Sequence, residues 1–367
     1  MRNYKKINLF LAGLFLTIIL TIMVIYMKRE SGLIVVIPTG NNERLQNRIE
    51  TFAVSKGVKV KVIEVDEEKY YSYILESRKL KIDEADIFLV NNLTLGRFIE
   101  EKIVQKISRK DLEEIVPEFL NGVEYKSGFY GYPYRAKCTM VYYNRNYFEK
   151  SSITNEEMLN NGGDKFDIIF SPEKLISHYF WFYYFGGRDL NIKKEIKEFY
   201  PILKREIEFL KKNFIFYDEE KTEKQFSSQK VKVYISDSDY IASIKNLEFS
   251  VDYGTINNKF FKPIFEVESF VISKKGFSNR QARELIKYLV SEDSQRYFTE
   301  DEWFIPSNKR TFYRFLNKVS KECEIAVKNI KILPVGIETN ELEEKIKYIM
   351  IRTLKKNESI ESAFLDI

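Results

Sequence analysis

The sequence predicts an α/β fold in which a parallel sheet is covered by helices on both faces. Three observations carry that prediction: strand-like and helix-like segments alternate from residue 33 onward, two of the first three strands are short apolar runs, and the first intervening helix shows helical apolar spacing. Leu33-Ile-Val-Val-Ile37 is a continuous apolar run that stops at the turn Pro38-Thr-Gly-Asn-Asn42. In 43–56, Leu45, Ile49, Phe52 and Ala53 form one helical stripe, and Gly57 suits the stop that follows. Val58-Lys-Val-Lys-Val62 alternates and continues to Val65 as a second strand. A polar helix over 67–78 leads to Ala85-Asp-Ile-Phe-Leu-Val90, a third strand, and 93–104 reads as another helix. Ligands of such sheets gather beyond the carboxyl ends of the strands. The turns after strands one and three therefore supply the first candidate site residues, Thr39, Asn41, Asn42, Asn91 and Asn92.

Further along, Thr139-Met-Val-Tyr-Tyr143 reads as a strand and Asn160-Asn-Gly-Gly163 as a loop. His178-Tyr-Phe-Trp-Phe-Tyr-Tyr-Phe185 is wholly aromatic apart from its histidine and reads as a buried helix ending at Gly186-Gly187. The segment 200–212 is amphipathic, Lys230-Val-Lys-Val-Tyr-Ile235 is a strand ending in Ser236-Asp-Ser-Asp239, and Phe270-Val-Ile272 is another strand. Ser278-x-x-Gln281 has the form of a capping box before a helix carrying Ala282, Leu285, Ile286 and Leu289.

The chain has 367 residues, 44% hydrophobic and 31% charged, enough for two compact units and unlike bulk disorder. Its formal charge of +5 is concentrated around one segment: setting aside Arg2, Lys5, Lys6, Lys28, Arg29 and the acid Glu30 leaves 54 basic and 53 acidic residues. A nearly neutral remainder with only mixed-sign runs lacks the basic stripe of a nucleic-acid binder. Residues 7–27 carry no charge and are long enough to cross a hydrocarbon core of about 30 Å. No A-x-A-like cleavage site follows, neither cysteine lies near the segment's end, and the basic residues before it bias the N-terminus inward. The expectation is one N-terminal transmembrane helix, residues 1–30, anchoring the chain on the extracytoplasmic face, with a long cleaved signal peptide as the alternative. Cys138 and Cys323 are too few for a disulfide scaffold and too far apart for a zinc motif, leaving one long-range disulfide or two buried thiols open. No cofactor or metal site is expected. No G-x-S-x-G, G-x-x-x-x-G-K-[ST] or H-E-x-x-H pattern is present, so no catalytic residue is assigned.

The order of these landmarks resembles the family-1 extracellular solute-binding proteins, the group that includes maltose-binding-type receptors. Gly128-Phe-Tyr-Gly-Tyr-Pro-Tyr134 followed by Val141-Tyr-Tyr-Asn-Arg-Asn-Tyr-Phe148 is similar to the family's most specific signature. Phe270-Val-Ile-Ser-Lys-Lys275, Leu289-Val-Ser-Glu-Asp-Ser-Gln-Arg-Tyr-Phe298 and Ile305-Pro-Ser-Asn308 follow the later ones. The resemblance spans roughly residues 33–315. It implies a two-lobed periplasmic-binding-protein-like (type II) fold with a hinge and an interlobe cleft, lobe 1 being 33–136 plus 268–306 and lobe 2 being 137–267 plus 307–367. It also implies a monomeric receptor that closes on a small-molecule solute and presents it to the transmembrane subunits of an ABC permease.

Carried over by position, the cleft candidates are Arg135 and Lys137 at the first crossing, His178 and Trp181 in the aromatic segment, Glu266 and Glu268 at the second crossing, and Trp303 near the third. Trp303 is the aromatic-platform candidate for a sugar face. Asp237 and Asp239 stand where sugar receptors of the family often carry G-x-W, which leaves a polyamine or cation ligand beside the sugar or oligosaccharide reading. Two other function classes remain: a membrane-tethered ligand sensor, and an enzyme on the same hinge fold using Asp237, Asp239, Glu266 or Glu268 as acid and base.

Overall fold

The structure, a computed structural model, describes residues 32–40, 42–146, 168–170, 196–216, 219–240, 247, 251–255, 264–301, 305–317, 330–354 and 356–367. The apolar segment 7–27 and the aromatic segment 178–185 lie outside the described residues. Among those described, no helix is long and apolar enough to cross a membrane. The chain forms two compact units, one made of residues up to Phe88 with Ser273–Leu285, the other of Leu89–Ile272 with Ile286–Ile367.

The first unit confirms the expected alternation. Strand β1 (Leu33–Pro38), helix α1 (Glu43–Lys56), strand β2 (Val60–Val65) and helix α2 (Glu67–Leu80) lead into strand β3 (Ile87–Asn91). β1 pairs in parallel with β2 from Leu33↔Val60 to Pro38↔Val65 and with β3 at Val35↔Ile87. Leu45, Ile49 and Phe52 bury the predicted stripe of α1, and Gly57, at φ 62°, closes the helix in a left-handed conformation that costs glycine little. α2 buries Tyr70, Ile74 and Ser77, and the Tyr70 hydroxyl donates to the Val36 carbonyl at 2.8 Å. Asp86, 3% exposed, ties this unit together: its carboxylate accepts from the Ile34 amide at 2.9 Å and from Lys275 Nζ at 3.3 Å, while its carbonyl accepts from Ser273 N at 3.0 Å. Gly276, in the short helix α6 (Lys274–Phe277), packs directly on that carbonyl.

The second unit takes in the end of β3 and continues into helix α3 (Asn92–Glu100), shorter than the expected 93–104, whose Gly96 lies against the backbone of Gly336. A small hairpin follows, β4 (Glu124–Tyr125) with β5 (Gly128–Phe129), and then β6 (Tyr132–Asn144), a 13-residue strand where only 139–143 was expected. β7 (Ile168–Phe170), α4 (Ile196–Asn213), β8 (Phe214–Phe216), α5 (Glu219–Ser227), β9 (Val233–Asp237), β10 (Val251–Thr255) and β11 (Ile264–Ile272) come next. After α6 come α7 (Arg280–Leu289), α8 (Glu292–Asp301), β12 (Ile305–Pro306), α9 (Lys309–Leu316), β13 (Lys331–Ile332), α10 (Ile337–Leu354) and α11 (Ile360–Leu365). The first half of β6 pairs antiparallel with β11 and β12, and its second half pairs antiparallel with β9 and β10. β9 continues in parallel to β7, and β7 to β8.

Side-chain packing explains why β6 takes this course. Ala136, Cys138, Met140 and Tyr142 alternate onto one buried face, the period of a strand covered by core, and Tyr132 and Tyr134 are buried at the start of the strand. Tyr134 packs on Phe270 and Phe298 with ring centroids 4.9 and 5.3 Å apart. Tyr142, Tyr234, Tyr240 and Phe226 form a second aromatic cluster in which Tyr234 and Tyr240 stand edge to face at 4.7 Å. Pro133 has no amide proton to give the β6–β11 ladder, and the register shifts there between Glu268 and Ser269 as a bulge. One capping expectation is corrected. The amide of Gln281 is received by Asn279 Oδ1 at 3.0 Å, while Ser278 Oγ donates backward to the Lys275 carbonyl, so Asn279 caps α7 in place of Ser278.

A methyl group at Gly276 would lie 2.2 Å from the Asp86 carbonyl oxygen, with backbone on both sides of the contact. Gly276→Ala is therefore expected to lower unfolding stability by about 2 kcal/mol in a urea titration. An unchanged midpoint would contradict this packing.

Candidate functional site

A strip of four charged side chains lies along the β6–β11 ribbon. The antiparallel register sets Arg135 opposite Glu268 and Lys137 opposite Glu266, and because strand side chains alternate, all four share one face. The opposite face carries Ala136 and Val267, both fully buried. On the polar face, Glu268 Oε2 accepts from Arg135 Nε at 2.5 Å and Oε1 meets Lys137 Nζ at 2.7 Å. The three side chains are only 17%, 13% and 20% exposed for Arg135, Glu268 and Lys137, a degree of burial that charged groups tolerate when paired. Burial by itself would push the Glu268 carboxyl up, but the charges and hydrogen bonds of Arg135 and Lys137 outweigh it and hold the group at about 2, against an ordinary 4.5. Glu268 is thus ionised throughout the physiological range.

Buried polar struts fix this ribbon. Asn92, 1% exposed, donates from Nδ2 to the Leu333 carbonyl and accepts at Oδ1 from the Val267 amide, both at 2.8 Å, so it reaches β11 one residue from Glu268. Gln295, fully buried, donates to the Tyr134 carbonyl at 2.9 Å and accepts from Ser307 N at 2.8 Å, while Ser307 Oγ donates to the Pro133 carbonyl at 2.5 Å. These bonds hold β6 beside β12 at the residues flanking Arg135.

The sequence candidates divide accordingly. Arg135, Lys137, Glu266 and Glu268 come together on one face. Asn92 is committed to backbone groups on both sides of its amide. Asn91 caps α3, its Oδ1 accepting from Thr94 N and Thr94 Oγ1 at 2.8 Å each. Thr39 and Asn42 belong to the first unit: Thr39 Oγ1 reaches Asp66 Oδ1 at 3.3 Å, and Asn42 Nδ2 donates to the Pro38 carbonyl at 2.7 Å and to Glu64 at 3.1 Å. Asp237 ends β9 in register with Thr139, and Asp239 follows in a short 3-10 turn; for both, only the backbone is described. Between them Ser238 is fully buried, and its Oγ accepts from the Cys138 amide at 3.4 Å. Asn41, His178, Trp181, Trp303 and Cys323 lie outside the described residues. Cys138 is buried beside Met140, sulfur to sulfur 3.6 Å. Gln295 and Ser307 were not singled out as site residues by the sequence, although a glutamine inside an amphipathic helix pattern is the available signal for such a strut. Among the described residues, no group of His, Cys, Asp and Glu is placed to hold a metal ion.

This fold is shared with solved bacterial binding proteins. The GacH receptor of Streptomyces glaucescens, solved without ligand and with acarbose, superimposes with a TM-score of 0.75 at 14% identity over 92% of this chain and 97% of that one. The maltotriose-binding protein of Thermus thermophilus, bound to maltotriose, gives 0.74 at 15% identity over 91% and 97%. An ABC substrate-binding protein of Listeria monocytogenes in complex with cycloalternan gives 0.72 at 12% identity over 91% and 96%. No curated protein matches the sequence. The family model for bacterial extracellular solute-binding proteins matches residues 47–312, and the chain belongs to that family.

Because the folded Glu268 pKa is depressed, its pairing stabilises the protein above about pH 4.5, and that contribution is lost as pH falls toward about 2. Wild type is expected to exceed Glu268→Gln by about 3 kcal/mol near neutral pH. The difference should narrow across that acid window in urea unfolding measured at successive pH values. A gap constant from pH 7 to 2 would show that the pairing is not what shifts the carboxyl.

Proposed function

We propose that the chain is an extracytoplasmic receptor that captures a sugar or oligosaccharide and delivers it to an ABC importer, without chemistry of its own. Ligand contacts fall on the Arg135, Lys137, Glu266 and Glu268 face of β6 and β11. The observation that carries this reading is the half-buried charge strip itself, in which Glu268 bridges Arg135 and Lys137, held in place by Asn92 and Gln295. Charged groups already fixed by one another give short, directional hydrogen bonds to hydroxyls, which act both as donors and as acceptors. The family and the three similar structures are binding proteins, and the latter were solved with or named for acarbose, maltotriose and cycloalternan, which supports a saccharide ligand.

The rest of the proposal follows the sequence. The lobes are 33–136 with 268–306 and 137–267 with 307–367, and ligand shifts them toward a closed form that the permease reads. Thr39, Asn41, Asn42, Asn91, His178, Trp181, Asp237, Asp239 and Trp303 are further cleft candidates. Residues 7–27 anchor a monomeric receptor at the membrane.

Maltotriose, acarbose or a related oligosaccharide is expected to raise the thermal midpoint of the full-length chain, by the equivalent of about 2.7 kcal/mol at roughly 100 times Kd. A panel of oligosaccharides giving no shift would overturn the saccharide assignment, and a shift with polyamines alone would replace it. For the anchor, mass spectrometry of the membrane fraction is expected to find residues 1–30 retained. A mature N-terminus near residue 30 would remove that element.

A further inference from the structure

The cations on the β6–β11 face are already occupied. Glu268 bridges them, one carboxylate oxygen on Arg135 Nε at 2.5 Å and the other on Lys137 Nζ at 2.7 Å, and the side chain of Glu268 is only 13% exposed. Glu266 lies cross-strand from Lys137 on the same face, so the strip holds two positive and two negative side chains and no net charge.

We infer that Glu268 is a specificity-determining residue: a tethered carboxylate that fills the Arg135–Lys137 pair and restricts the site to uncharged, hydroxyl-rich ligands, excluding phosphorylated or carboxylated ones. This rests on the reading of the β6–β11 face as ligand-contacting. An incoming phosphate competes for the same donors with a carboxylate that the fold holds at contact distance. It also sits beside Glu266 and Glu268, whose like charges repel it. A polyamine meets the converse arrangement, since the carboxylate it would need already faces two cations. A hydroxyl displaces nothing: it adds a hydrogen bond to groups whose charges remain balanced. Asn92 and the bulge at Pro133 keep the register that makes this bridge, because a one-residue slip would turn Glu268 to the opposite face.

The test uses the full-length chain and three probes, maltotriose, glucose 6-phosphate and inorganic phosphate, read by thermal shift and calorimetry. Wild type is expected to respond to maltotriose and to neither anion in the millimolar range. Glu268→Gln is expected to bind phosphate and glucose 6-phosphate at least about tenfold more tightly than wild type, and the added change Lys137→Gln is expected to abolish that gain. Circular dichroism reports whether Glu268→Gln folds. Should it not, the wild-type comparison decides: anion affinity equal to or above that for the neutral sugar overturns the inference. A folded Glu268→Gln without gained anion binding overturns it as well, while a retained maltotriose response leaves the saccharide reading intact. Anion gain in a chain that ignores every oligosaccharide supports the charge-filling role and removes the saccharide reading instead.

Discussion

The bridge from Glu268 to Arg135 and Lys137 is the interaction on which the proposed site depends. Two cations on alternate residues of one strand repel each other, and partly buried they would be costly; a carboxylate opposite them on the antiparallel neighbour turns that cost into a clamp. The clamp requires a fixed register, and three features supply it. Pro133 breaks the ladder and introduces the bulge, Asn92 pins the Val267 amide, and Gln295 with Ser307 pins the carbonyls of Tyr134 and Pro133. The apolar reverse of the same strands, with Ala136 and Val267 fully buried, supplies the burial that lets these polar bonds count.

The sequence was most legible where one physical preference dominated. Continuous apolar runs marked β1 and β3 because strands covered on both faces carry little else, and Gly57 marked the end of α1 because its backbone is left-handed. The reading fell short where partners from distant segments decide the outcome. β6 was seen only from residue 139 because Pro133, Arg135 and Lys137 look unlike strand residues; they are accommodated by a bulge and by one acid, Glu268, 131 to 133 positions away in the chain. Ser278 satisfied the capping pattern, yet Asn279 made the bond, since a one-residue offset costs either side chain nothing until the backbone is placed.

The same limit applies to the site. Arg135, Lys137, Glu266 and Glu268 were recognisable as crossing residues, but their pairing was not, because 133 residues separate Arg135 from Glu268. Asn91 and Asn92 are adjacent and chemically identical, and their different positions give them separate structural tasks, a helix cap and a buried strut. A polar residue after a strand marks a place where hydrogen bonds are needed; sequence alone does not say whether backbone or ligand receives them.

On the proposed reading, a saccharide engages the balanced charge strip of β6 and β11. A crystal structure of the chain with maltotriose tests it most directly. Sugar hydroxyls are expected within about 3 Å of Arg135, Lys137, Glu266 or Glu268 side-chain atoms, with the Glu268 bridge intact. A saccharide bound elsewhere, with no contact to these four residues, would contradict it.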